Sequence, residues 1–208
     1  MNKETLFQKN KSILSKYIPE KAVDIINEWI LEYNFKLIIK GNRKNKWGDF
    51  KYSSNNSIPV ITINHSLNPY AFLITLVHEI AHCKTFREYG HKIDPHGKEW
   101  KQNFQILMNH FLNTDIFPID VLYVLRKHMQ NPLASATADI ELYKVLMNYN
   151  SNTENKALVE YLNDGDKFEY DNKLYQRIAQ KRKRIECLEL STGKKYLFSP
   201  VVEVNIVE

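Results

Sequence analysis

The chain has 208 residues, 43% of them hydrophobic and 25% charged, with a formal net charge of +5 at pH 7. This composition is typical of a globular protein and not of a disordered one, and the most apolar run, residues 71–77, is too short to span a bilayer. The N-terminus is polar and has no apolar signal core, so we expect a soluble cytoplasmic protein with no membrane partner. The positive charge permits an acidic partner such as nucleic acid without requiring one.

The first part of the chain predicts two helices and then a small sheet. Apolar residues at helical spacing predict a helix up to Ile18. Pro19 ends that helix and opens a second one, whose apolar stripe continues to Tyr33. Three short strands are then predicted over 35–40, 48–53 and 58–64, with Gly41-Asn42 and residues 54–57 as the turns between them.

Four further helices follow in the sequence. Asn68 can cap a helix that has Pro69 at its first position and that runs to about Arg87, ending before Gly90. Asp94-Pro95 repeats the start signal, so we expect the next helix to carry His96 in its first turn. The last two helices are predicted over 118–129 and 137–148.

The remainder of the chain predicts a separate β unit. Residues 148–157 are polar and rich in asparagine, which is typical of a linker. Beyond them six short strands, the first over 158–162, alternate with turn signals such as Asp164-Gly165 and Asp171-Asn172, which predicts a small antiparallel barrel or sheet. The expected fold class is α+β, with a helical domain over 1–150 that contains a three-stranded sheet and a small antiparallel β domain over 157–208.

The predicted helix after Pro69 carries the motif H-E-x-x-H, as His78, Glu79 and His82. Residues four apart lie on one helix face, so two imidazoles there can bind one Zn²⁺. The acid beside the first histidine can reach a metal-bound water without binding the metal. This arrangement predicts that Glu79 acts as the general base while the water attacks a carbonyl.

A catalytic zinc requires a third protein ligand and one open position. The extended form H-E-x-x-H-x-x-G-x-x-H is absent, because Thr85 and Glu88 occupy the positions of its glycine and last histidine. The remaining candidates are His91, His96, Glu88 and Glu99. The physical argument favours His96, because a ligand at a helix start is held more rigidly than His91 in a loop.

The sequences HEIAH and HGKEW together resemble the SprT-like metallopeptidase family, which includes bacterial SprT proteins and the eukaryotic protease Spartan. The family's third ligand lies in an H-G-x-x-aromatic motif, which His96, Gly97 and Trp100 match. The resemblance extends over about residues 1–115. It implies a zincin-like fold and one Zn²⁺ bound by His78, His82 and His96. It also implies protein substrates, among them proteins crosslinked to DNA.

The C-terminal domain departs from that resemblance. Many SprT-like proteins carry a C-terminal zinc ribbon with paired cysteines. This chain has two cysteines in total, Cys83 and Cys187, and only Cys187 lies in that domain. No such ribbon can therefore bind zinc here, and the role of the tail does not follow from the resemblance.

Two basic clusters are candidate nucleic-acid contacts. Lys181, Arg182, Lys183 and Arg184 suit a phosphate backbone, although in a strand their charges would alternate between faces, and they can instead cap a hairpin as solvated charge. The second cluster, Lys40, Arg43, Lys44 and Lys46 with Trp47, can stack a single-stranded base or form an ordinary turn.

These observations leave two main functions open. The first is a zinc-dependent endopeptidase that acts on proteins associated with DNA. The alternative is a catalytically silent metal-binding module associated with nucleic acid, and a metal hydrolase with another substrate also fits. Glu79 favours an enzyme, because a structural zinc site needs no base and is usually closed by four protein ligands.

Overall fold

The computed structural model has an α+β architecture and forms two compact units, Met1–Tyr149 and Asn150–Glu208. The division falls inside the asparagine-rich segment interpreted as a linker. The structure describes residues 3–41, 43, 46–52, 58–150 and 155–207. Lys44, Asn42, the predicted turn over 54–57 and part of the linker lie outside these residues.

The first unit contains the helices, each of which overlaps a predicted one, although α1 ends at Leu14 and not at Ile18. Their bounds are α1 Lys3–Leu14, α2 Glu20–Glu32, α3 Pro69–Tyr89, α4 Lys98–Asn109, α5 Ile119–Gln130 and α6 Ile140–Met147. A 3-10 turn, Ala136–Ala138, precedes α6. None of the helices in the part of the chain that is described combines the length and apolarity needed to cross a bilayer.

A three-stranded sheet with the order β1-β3-β2 covers one side of α3. Its strands are β1 Lys36–Lys40, β2 Gly48–Lys51 and β3 Val60–Asn64. The central strand β3 pairs parallel with β1 and antiparallel with β2. The prediction of three strands is confirmed, and the register places Gly48 of β2 beside α3.

Helix α3 is the central element of the first unit. The side chain of Asn68 accepts a hydrogen bond from the Ala71 N–H at 3.0 Å, and Gly90 ends the helix with a φ of 71°. Most of its side chains are buried, as expected of a helix that is apolar on all sides. The buried Asn103 on α4 donates to Thr85 at 3.0 Å and to Glu88 at 2.7 Å, which fixes α4 against α3.

The expected start of α4 was wrong by three residues. The helix begins at Lys98 with Gly97 as its N-cap, and Asp94 and Pro95 form a turn that the Gly97 N–H closes by donating to the Asp94 carbonyl at 2.9 Å. A Cβ on Gly97 would lie 3.2 Å from both the Cβ and the carbonyl oxygen of Asp94. The glycine therefore permits a tight turn, and His96 lies in that turn and not in the helix.

The second unit is a six-stranded antiparallel sheet with the order β4-β9-β5-β6-β7-β8. Its strands are β4 Lys156–Leu158, β5 Lys167–Tyr170, β6 Lys173–Lys181, β7 Arg184–Glu189, β8 Lys195–Phe198 and β9 Glu203–Val207. Asp171 and Asn172 form a two-residue hairpin turn with φ of 52° and 60°, as their residue types predict.

One predicted strand of this unit is largely absent. Residues 158–162 were expected to be extended, but Val159–Tyr161 forms a 3-10 turn, and the strand β4 lies just before it. Val159 and Leu162 nevertheless point into the small core, where they join Phe168 and Ile185. Apolar residues three apart, such as Val159 and Leu162, lie on one side of a 3-10 turn. The apolar residues of this segment are therefore buried as expected, but they repeat every three residues and not every two as in a strand.

Candidate metal centre

Three imidazoles converge at the surface of α3. The Nε2 atoms of His78, His82 and His96 form a triangle with sides of 3.2 Å, 3.1 Å and 3.3 Å. His78 and His82 are one turn apart on α3, and His96 reaches them from the turn before α4. These three residues could hold a metal ion.

The dimensions of this triangle fit a metal better than they fit hydrogen bonds. A tetrahedral ion about 2.0–2.1 Å from each nitrogen separates the nitrogens by roughly 3.3 Å. A neutral imidazole nitrogen is either a donor or an acceptor, so three Nε2 atoms that face one another cannot all satisfy each other. One cation that accepts three lone pairs satisfies all of them.

Burial keeps these imidazoles in the neutral form that binds metal. Desolvation holds the pKa of His78 well below its usual value, with further lowering from His82 and His96. Desolvation, with the charge of His96, lowers the pKa of His82 to about 3. The pKa of His96 is also lowered by desolvation. Protons therefore compete only weakly with a metal ion for these three nitrogens.

Trp100 forms the floor beneath the three imidazoles. It is fully buried, and its ring centroid lies 4.6 Å from that of His78, 5.2 Å from His82 and 4.7 Å from His96. Trp100, the third residue of α4, therefore restricts the orientation of each imidazole ring. His91, the alternative third ligand, is exposed and packs against Phe86, with ring centroids 4.6 Å apart, outside the cluster.

Glu79 lies beside the imidazoles and is only 7% exposed. Desolvation, strengthened by the charge of Asp49, raises its pKa to about 8. Arg43, Lys46 and a hydrogen bond from the backbone N–H of Phe50 oppose that rise. Strand β2 therefore helps to position the carboxyl group through the N–H of Phe50.

Gly48 is a site residue that the sequence gave no reason to select. A Cβ at this position would lie 2.7 Å from Oε1 of Glu79 and 2.7 Å from Cγ2 of Thr75. Only glycine allows β2 to approach α3 this closely. The signal in the sequence was a glycine at the start of a predicted strand, which does not reveal its neighbour.

The cluster opens into a cavity of about 490 Å³. Strand β2 forms one wall, through Gly48, Asp49 and Phe50, and residues 134–137 form another. His128, to which no role was assigned from sequence, also lines the cavity. The described part of the first unit therefore has a concave space large enough for a short extended segment of polypeptide next to the three imidazoles and Glu79.

The two basic clusters differ in what their side chains contact. Arg43 donates to Asn64 at 2.8 Å and to Thr62 at 3.0 Å, and Trp47 stacks on Tyr143 with centroids 5.6 Å apart. These two side chains stabilise the turn before β2, which favours the interpretation as an ordinary turn.

The second cluster lies at the tip of the β6–β7 hairpin. Lys181 pairs with Arg184, Arg182 adopts a φ of 53°, and all four side chains from 181 to 184 are exposed. The basic run therefore forms the end of a hairpin, as the second interpretation from sequence has it, and its four charges lie together at one exposed tip. Contact with nucleic acid stays a prediction for Lys181, Arg182, Lys183 and Arg184.

Comparisons with known proteins give no independent identification of this chain, because no family model, no curated protein and no solved structure matches it. A functional conclusion therefore depends on the site itself.

Proposed function

We propose that this protein is a zinc-dependent endopeptidase of SprT-like type with a zincin-like first unit. The observation that carries the proposal is the triangle of Nε2 atoms of His78, His82 and His96 next to a buried carboxyl group at the edge of a cavity. Three nitrogen ligands leave the fourth position of a tetrahedral zinc for water, which is the pattern of a catalytic site.

Each residue has a defined part in peptide hydrolysis. When bound, zinc would lower the pKa of its water and polarise the substrate carbonyl. Glu79 accepts a proton from the water as the oxygen adds to the carbonyl carbon. The proton then passes to the leaving nitrogen as the C–N bond breaks, which yields a carboxylic acid and an amine and restores Glu79.

The surroundings of Glu79 support an enzyme over the silent metal-binding module. A structural site would not require a carboxyl group whose position depends on a glycine in a neighbouring strand. Proteins associated with DNA are the narrower substrate class that we propose, and its support is the exposed basic hairpin tip over 181–184.

The test is hydrolysis of a protein substrate by the zinc-loaded wild type and by Glu79→Gln. The amide is nearly isosteric but cannot accept the proton from water, so the rate should fall by at least about 10²-fold with zinc content unchanged. His91→Gln is the matched control, because this exposed residue lies outside the cluster, and it should retain wild-type activity. A zinc-replete Glu79→Gln protein that cleaves at the wild-type rate would refute the general-base role.

A further inference from the structure

A second histidine of the first unit is held in a defined orientation at the same cavity. His128, on α5, has a side chain that is only 1% exposed, and its Nδ1 lies 2.9 Å from Oδ2 of Asp139. An imidazole that is buried and bonded to a carboxylate cannot rotate freely, so its ring plane is fixed and its Nδ1 carries the proton that the carboxylate accepts.

Asp139 is itself fixed at both oxygens. Its Oδ1 accepts the N–H of Leu142 at 3.1 Å as the N-cap of α6, while Oδ2 is bonded to His128. The carboxylate therefore has a structural partner on one side and the histidine on the other. Such a pair fixes the orientation of an imidazole.

The ring nitrogen of His128 that Asp139 leaves free is Nε2. His128 lines the cavity together with His78, Glu79 and His96. Residues 134–137 of the same wall lie between His128 and Asp139 in the sequence. The cavity thus contains an oriented imidazole in addition to the three that converge on one another.

We propose that His128 is a further catalytic residue, which donates a hydrogen bond from Nε2 to the substrate carbonyl oxygen as that oxygen becomes an oxyanion, and that Asp139 is its positioning residue. This inference rests on the proposed peptidase function. No bond to His128 is made or broken. In its imidazolium form the ring has an N–H on each nitrogen, so it donates from Nδ1 to Asp139 and from Nε2 to the oxygen on which negative charge develops, and it keeps both protons when the C–N bond breaks.

Three substitutions separate this role from a structural one. His128→Phe fills the same space without ring nitrogens, and His128→Gln retains one N–H group. Asp139→Asn keeps a residue that caps α6 well but removes the charge. The matched control is His110→Phe, because His110 is exposed, contacts Trp29 and Phe111, and is not part of the cavity wall.

The measurements are zinc content, kcat and KM on a fluorogenic peptide that the wild type cleaves, and the affinity of a phosphinic analogue of that peptide. Loss of one oxyanion donor should lower kcat by about 10²–10³-fold in His128→Phe, with KM and zinc content unchanged. His128→Gln and Asp139→Asn should lose less. Affinity for the tetrahedral, anionic phosphinic peptide should fall in parallel with kcat, whereas His110→Phe should match the wild type in every measurement.

Proton NMR of the metal-free protein gives a readout without catalysis. A downfield imidazole N–H resonance from the His128–Asp139 bond is expected in the wild type and should be lost in His128→Gln. If His128→Phe and His128→Gln both keep wild-type kcat and phosphinate affinity while Glu79→Gln is inactive, the role of His128 is refuted and the peptidase proposal stands. If the zinc-loaded wild type cleaves no peptide, the peptidase proposal fails and the role of His128 fails with it.

Discussion

The histidine cluster of the first unit and the hairpin tip of the second unit were both selected from the sequence, the first by the spacing of a histidine motif and the second by a run of basic residues. In the structure their side chains are arranged differently. In the cavity, the Nε2 atoms of three imidazoles lie within 3.3 Å of one another, and the buried Trp100 packs against all three rings. At the tip, four cationic side chains are exposed. In the cavity the side chains face one another in a defined geometry. At the tip the charges are close together in sequence, but their side chains point into solvent.

This difference shows which sequence patterns specify geometry. A spacing of four residues on a helix brings two side chains to one face, so His78 and His82 must be neighbours once α3 forms. A run of four basic residues specifies only a charge density, because its geometry depends on whether the chain turns within it. The first pattern predicts chemistry, and the second predicts at most a long-range, salt-dependent attraction.

Among substitutions in these two regions, Gly48→Ala should cause the largest loss of peptide hydrolysis. The new Cβ would overlap Oε1 of Glu79 and Cγ2 of Thr75, each at 2.7 Å, so the carboxylate must move. A displacement of about 1 Å at a catalytic group can cost about 10²-fold in rate. We expect that loss in peptide hydrolysis with zinc content retained.

Gly41→Ala is the control for this prediction, because a Cβ there would have no neighbour within 4 Å. Kinetics and elemental analysis of both variants provide the test. Equal activity of Gly48→Ala and Gly41→Ala would show that the position of Glu79 is not critical.

Replacing either of two arginines should change the free energy of unfolding by amounts that depend on their surroundings. Arg43 bonds Asn64 and Thr62, so Arg43→Ala leaves buried acceptors without a partner and should lower the free energy of unfolding by about 2–3 kcal/mol. Arg182→Ala, at the exposed tip, should change it by less than about 0.5 kcal/mol.

Urea titrations can measure this contrast for each unit. All three tryptophans of the chain, Trp29, Trp47 and Trp100, belong to the first unit, so their fluorescence reports its unfolding alone. Far-UV circular dichroism follows the second unit as well. Similar changes in both variants would mean that the hydrogen bonds of Arg43 add nothing to stability.

The smallest effect on peptide hydrolysis should come from the tip itself. Replacing Lys181, Arg182, Lys183 and Arg184 by alanine should leave cleavage of a short peptide unchanged, because these residues belong to the other unit. If the tip contacts duplex DNA, each lost phosphate contact should lower the slope of log affinity against log salt by about 0.9.

Lys167→Ala/Lys194→Ala is a control in the same unit, because both lysines are exposed and lie outside the tip. DNA binding at several salt concentrations tests the contact. An unchanged slope in the tip variant, or the same reduction per charge in the control, would remove the tip from the nucleic-acid prediction.

The elements and the helical ligands could be predicted because they depend on local patterns. Asn68 and Gly90 mark the ends of α3, and positive φ at Asp171 and Asn172 follows from their residue types. The turn that holds His96 was mistaken for a helix start, because Asp-Pro is compatible with both.

Other parts of the site could not be predicted, because they depend on contacts between distant segments. Gly48 contacts Glu79 where the sheet packs on α3, and His128 contacts Asp139, from which it is separated by ten residues of sequence. Thr85 and Glu88, which stand where a longer histidine motif would have its glycine and last histidine, accept hydrogen bonds from Asn103 of α4, and Glu88 is therefore not the third ligand that it could have been from sequence. No spacing rule reveals such partners before the fold is known.

Elemental analysis of zinc in the purified wild type, His96→Ala and His91→Ala, after identical zinc loading and dialysis, determines whether the three histidines form a metal centre. We expect about one zinc per chain in the wild type and in His91→Ala, and nearly none in His96→Ala, since only His96 completes the set of three nitrogen ligands. Zinc retained by His96→Ala and lost by His91→Ala, or a wild type that binds no zinc, would refute the proposed metal centre.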